Sequence, residues 1–77
     1  HRDFRAAYEG LVGDAAIREV TVDFSGVDYL DSSALGMLLM LRDKVTGAGK
    51  DVVLGNVRGN VKQVLDIANF GKLFRIA

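Results

Sequence analysis

Three short runs with strand character, Glu19–Phe24, Lys50–Leu54 and Leu73–Ile76, alternate with two stretches of helical spacing, Asp31 to about Val45 and Asn60–Phe70. Gly47-Ala48-Gly49, Gly55-Asn56 and Gly71 punctuate the changes of period, and the chain contains no proline. Strands and helices joined by such short loops predict βαβ units, with the strands running parallel in one sheet. Each crossover should be right-handed. The predicted class is α/β.

With 77 residues, the chain makes one domain at most and buries roughly 60% of its unfolded surface. Its opening reads as the middle of a helix, with Phe4, Tyr8 and Leu11 at i, i+4 and i+7, Ala7 beside them, and Gly10 and Gly13 ending it. Three strands make a thin sheet. Residues 1–77 therefore read as a single domain whose opening strands are missing, or as a fragment of a longer protein.

Composition narrows the function. Ten Lys and Arg balance ten Asp and Glu, so no net field recruits nucleic acid or an anionic membrane. The absence of cysteine rules out disulfides and thiolate metal sites. The longest apolar run, Met37 to Leu41, is far short of the ~20 residues that span a bilayer. A soluble cytoplasmic domain is expected. The lone histidine, His1, opens the chain and reads as a solvated residue or remnant. Asp23 and Asp28 have too few acids and histidines near them to suggest a metal site. The loop Gly55–Asn60 lacks the Gly-Lys-Ser/Thr ending of a phosphate loop and reads as a turn and an N-cap. No cofactor is expected.

The central helix carries the functional signal. Asp31 suits an N-cap, since its carboxylate can accept a backbone N–H and complements the positive helix end. Ser32 and Ser33 follow in the first turn. At about 100° per residue, Ala34, Leu38, Leu41 and Val45 share one side, flanked by Leu35 and Met37, and should pack on the sheet. The opposite side carries Ser32, Gly36, Leu39, Met40 and Asp43. A purely structural surface helix would carry charges there. Instead it offers a hydroxyl, bare backbone and two large apolar side chains, which together suggest a partner-binding face.

A phosphate on Ser32 would add about −1.5 to −2 charges and three acceptors. At a helix N-terminus that charge is tolerated, so the fold should survive. Its cost would fall on a docked partner, because Asp31 and Asp28 already place negative charge at the edge of the patch.

The stretch Val22-Asp23-Phe24-Ser25-Gly26-Val27-Asp28-Tyr29-Leu30-Asp31-Ser32-Ser33-Ala34-Leu35-Gly36 resembles the signature of STAS domains, specifically the bacterial anti-sigma factor antagonists. There a strand of the type Leu-Asp-Leu-Ser-x-Val leads into Asp-Ser-Ser/Thr-Gly-Leu-Gly at a helix start. The likeness extends from Val20 to the end of the chain. It implies a mixed, largely parallel sheet with helices mainly on one side. It also implies that Ser32, with Ser33 as the alternative, is phosphorylated by a cognate anti-sigma factor that is a serine kinase, and dephosphorylated by a serine phosphatase. The unphosphorylated form would bind the anti-sigma factor through a face containing Asp28, Ser32, Ser33, Gly36, Leu39, Met40 and Asp43. Ala34 departs from the family's glycine. Being the better helix former, it leaves the fold unaffected but sets a methyl near the docking edge. The wording from Asp28 to Leu39 looks closest to single-domain regulators of biofilm or motility switching in Gram-negative bacteria.

Two other functional classes stand beside that reading. One is a STAS-like domain with a structural or scaffold role in a transporter or multidomain regulator. The other is an enzyme, which is disfavoured because no base accompanies Ser32. Leu39 and Met40 could instead be covered by an upstream segment or by a homodimer, and Gly36 could serve only close packing.

Overall fold

The computed structural model describes residues 10–77, so the predicted pattern through Phe4, Ala7 and Tyr8 lies outside the described residues. The elements run β1 (Glu19–Asp23), α1 (Ser32–Gly47), β2 (Asp51–Gly55), α2 (Gly59–Ile67), a 3-10 turn (Phe70–Lys72) and β3 (Arg75–Ile76). The strands form one sheet in the order β1-β2-β3, and both pairings are parallel. This is the α/β arrangement expected from the alternation.

Register sorts the side chains between two faces. Val20 pairs with Val52 and Val22 with Leu54, and alternation along a strand sends these four to one side. There they meet Leu38, Leu41 and Val45 of α1, Val61 and Leu65 of α2, and Phe70 and Phe74. Both helices thus cover one face. The other face carries Glu19, Thr21 and Asp51 and is largely exposed. Val53 is its buried exception, flanked in register by Thr21 and Arg75. Above it, Arg75 Nη1 reaches Glu19 Oε2 at 3.2 Å, an ion pair linking the two outer strands across β2.

Several boundaries differ from the sequence reading, each for a local reason. β2 starts one residue later than expected because Lys50 turns inward. Its Nζ donates to the carbonyls of Asp14 (2.9 Å) and Ile17 (2.7 Å). Helix α2 starts at Gly59, with Arg58 at the N-cap making no side-chain cap bond, so Asn60 is no cap. The same helix ends at Ile67 rather than Phe70, since Asn69 adopts a left-handed conformation (φ 60°) that Asn tolerates better than most residues. The reversal lets Phe70 and Phe74 stack with centroids 5.4 Å apart. β3 shrinks to two residues because the N–H groups of Leu73 and Phe74 are held by the Phe70 carbonyl. Near the start, Leu11 is exposed, while Val12 packs against the core.

Candidate functional site

The site is built on the junction of β1 and α1, which the chain fastens at both ends. Phe24 and Leu30 are buried, and the Phe24 N–H donates to the Gly55 carbonyl at 2.9 Å. Between them, Val27 N–H closes a turn onto the Phe24 carbonyl at 3.0 Å. Gly26 occupies the third position of that turn with φ 80°, a conformation that favours glycine. The remaining loop residues, Val27, Asp28 and Tyr29, are exposed, Tyr29 at 73%.

Asp23 joins this loop to the next. Its carboxylate accepts from the Ser25 backbone N–H (2.9 Å), the Ser25 hydroxyl (3.0 Å) and the Asn56 side-chain amide (2.9 Å). The Asn56 hydrogen bond, then those from Ser25, hold its carboxyl below the usual aspartate range, with the Arg58 charge adding to the effect. Asp23 is therefore a staple between loops, a role sequence reasoning missed. Asn56, with φ 57°, was legible only as a turn residue. Its partner lies 33 residues away.

Helix α1 begins as its sequence suggests. Asp31 stands in extended backbone, and its Oδ1 accepts from the Ala34 N–H at 2.8 Å. Ser32 and Ser33 are exposed in the first turn, where backbone N–H groups have no intrahelical acceptor. The core side consists of Leu38, Leu41 and Val45, with Ala34 and Leu35 packed against it. The opposite side brings Ser32, Gly36, Leu39, Met40 and Asp43 into one exposed band. At 1.5 Å per residue the band runs about 16 Å along the helix. Leu39 is 39% exposed and Met40 52%. Asp28 lies on the loop before the cap and Ser33 turns toward the band's flank.

Gly36 has no packing duty among the described residues. A Cβ built there meets nothing within 4 Å, although glycine inside a helix costs about 1 kcal/mol relative to alanine. Between β1 and α1 lies a second feature that the helical wheel did not reveal. It is a groove of about 180 Å³ lined by Val22, Phe24, Val27, Leu30, Ala34, Met37 and Leu38, with Asp23 the one charged residue among its walls. Met37, expected to flank the core, helps to line this opening.

The band offers hydroxyls and apolar surface. Among the described residues no three His, Asp or Glu side chains gather as metal ligands, and no helix is long and apolar enough to cross a membrane.

Comparison with known proteins agrees with this geometry. The family model described as "Mlab, STAS domain" matches residues 1–75. The chain is also 46% identical over 77 residues to the STAS-domain containing protein PA14_20770 of Pseudomonas aeruginosa (strain UCBPP-PA14). That match covers the whole of this chain and 74% of the relative. With its parallel sheet, one-sided helices and Asp31-capped Ser-Ser helix start, the chain belongs to the STAS domain family.

Proposed function

We propose that this protein is a phosphorylation-switched binding module, an antagonist of an anti-sigma factor, working in the cytoplasm. The unmodified form docks the anti-sigma factor, itself a serine kinase, through the Ser32, Gly36, Leu39, Met40 and Asp43 band. Phosphorylation of Ser32 releases the partner, and a serine phosphatase restores binding. The protein contributes a substrate hydroxyl and a surface, and carries out no chemistry itself.

One observation carries the reading. An exposed hydroxyl at the first position of α1 shares a side with an uncovered Gly36, Leu39 and Met40. The apolar side chains supply area whose burial favours association, and bare backbone at Gly36 allows close approach. A phosphate at Ser32 is stabilised locally by the helix end. A partner packed beside it must desolvate that hydrated dianion, and an ionic group buried without matching donors is costly.

The test uses the unmodified chain, Ser32→Ala and Ser32→Asp against the cognate anti-sigma factor. Phosphopeptide mass spectrometry after kinase treatment separates Ser32 from Ser33. Retained binding by Ser32→Ala with at least about tenfold weaker binding by Ser32→Asp, a difference of roughly 1.4 kcal/mol, supports the switch. Equal affinities would remove it.

A further inference from the structure

At its β3 edge the sheet lacks a corner. β3 begins with Arg75 opposite Val53, so Asp51 and Val52, the first residues of β2, have no strand beside them on that side. A cavity of about 320 Å³ fills the corner, lined by Arg42 and Thr46 of α1, Asp51 and Val52 of β2, and Leu73 and Arg75. A dry cavity of roughly 150 Å³ holds benzene, so this one accommodates a small organic molecule.

The backbone leaves a donor there. The Ala77 N–H donates to the Leu54 carbonyl on the β3 side of β2, whereas the Asp51 N–H donates to the Arg18 carbonyl on the β1 side. Peptide groups alternate in direction along a strand, so those of Val52 face the β3 side. The Val52 N–H lies ahead of the first β3 residue and has no backbone acceptor among the described residues.

Around that N–H stand opposite charges that do not meet. Arg42 donates through Nε to the Leu73 carbonyl at 2.9 Å, which fixes its guanidinium and leaves both Nη groups without a partner among the described residues. Arg75 pairs with Glu19. Asp51 forms an ion pair with neither arginine, although all three residues line the one cavity. Thr46 Oγ1 donates to the Arg42 carbonyl at 2.7 Å, so toward a ligand its oxygen can only accept. Arg42 balances Asp51, and Arg75 balances Glu19. Such a site disfavours a dianion and suits a molecule carrying one charge of each sign. A guanidinium fork matches a carboxylate, while Asp51 and the Thr46 oxygen can accept from an ammonium.

We propose that this corner binds an aliphatic α-amino acid as its zwitterion. The carboxylate lies on the Nη groups of Arg42 and the Val52 N–H, with Arg75 at the rim. The ammonium faces Asp51 and the Thr46 oxygen, and the aliphatic side chain rests on Leu73, whose own side chain is exposed. The site shares α1 with the proposed switch but uses none of its residues.

The test follows amide chemical shifts of the whole isotope-labelled chain with L-leucine, with 4-methylpentanoate (leucine without its ammonium) and with 3-methylbutylamine (leucine without its carboxylate). Leucine should shift Val52 and Leu73 saturably and bind roughly fivefold more tightly than either half, the worth of one unit-charge contact in water. Arg42→Gln should weaken leucine and 4-methylpentanoate and spare 3-methylbutylamine. Asp51→Asn should weaken leucine and 3-methylbutylamine and spare 4-methylpentanoate. A variant that failed to fold would lose every probe, so crossed losses report the site, and the comparison of probes on the unmodified chain stands without the variants. Leucine no tighter than either half, shifts confined elsewhere, or tighter binding of inorganic phosphate at Val52 would overturn the assignment, the last by making the corner a plain anion site.

Discussion

The carboxylate of Asp23, at the end of β1, accepts the side-chain amide of Asn56, just past the end of β2, at 2.9 Å. Asp23 ends β1 and Asn56 follows the adjacent parallel strand, so the bond couples the loop leading to Ser32 with the loop leading to α2. Because Asn56 and Ser25 favour the ionised form, the Asp23 carboxyl is held below its ordinary range. A group depressed in the folded state contributes stability that is fully present above its unfolded pKa, near 3.9, and is lost as pH falls through the folded value. Asn56→Ala should move the Asp23 titration, followed by carboxyl carbon NMR, upward toward that ordinary value. An unmoved titration would show that Ser25 alone sets it.

Lys50, just before β2, is buried, and its ammonium holds two backbone carbonyls of the segment preceding β1. Lys50→Met keeps the aliphatic stem and removes the ammonium from the Ile17 carbonyl, while the Asp14 carbonyl still accepts from the Ile17 N–H. Leaving a buried acceptor unsatisfied costs about 1–3 kcal/mol, so denaturant unfolding should show a lower midpoint. Hydrogen exchange should rise first near residues 14–18.

The two sides of α1 should respond oppositely to substitution. Leu41 is almost fully buried, and Leu41→Ala should cost about 2–5 kcal/mol. Leu39→Lys and Met40→Lys should change stability by less than about 0.5 kcal/mol, as at other exposed positions, yet abolish docking of the proposed partner. Circular dichroism melts and binding measured on the same samples check both. Unfolding of the lysine variants would place that side in the core.

Gly36 separates stability from binding most directly. With open space around its would-be Cβ, Gly36→Ala should raise stability by about 1 kcal/mol. The same methyl should weaken the partner complex if the backbone is approached closely there. A variant both more stable and equally tight would remove Gly36 from the interface.

Loss of the cap should be graded. Asp31→Ala should cost about 1 kcal/mol of stability, and Asp31→Asn only a small part of that. Thermal melts of the two variants measure the difference, and equal losses would mean that charge rather than the hydrogen bond matters.

The strand runs, the helix start at Asp31 and the apolar side of α1 were legible because each follows from local spacing and capping chemistry. The exposed Ser32–Asp43 band was legible for the same reason, as a periodicity left over once the core side was assigned. The end of α2 was not, because the left-handed turn at Asn69 depends on burying Phe70 and Phe74 together. Nor was the groove, whose walls come from β1, the following loop and α1.

Taken alone, then, the order of residues determined which segments extend, which coil, and which side of α1 turns inward, since those outcomes depend on neighbours a few positions apart. Tertiary structure alone decided that Asp23 would meet Asn56 and that Lys50 would be buried on carbonyls of an earlier loop. Those contacts join residues distant in the chain, and only the parallel register of the sheet brings them within reach of one another.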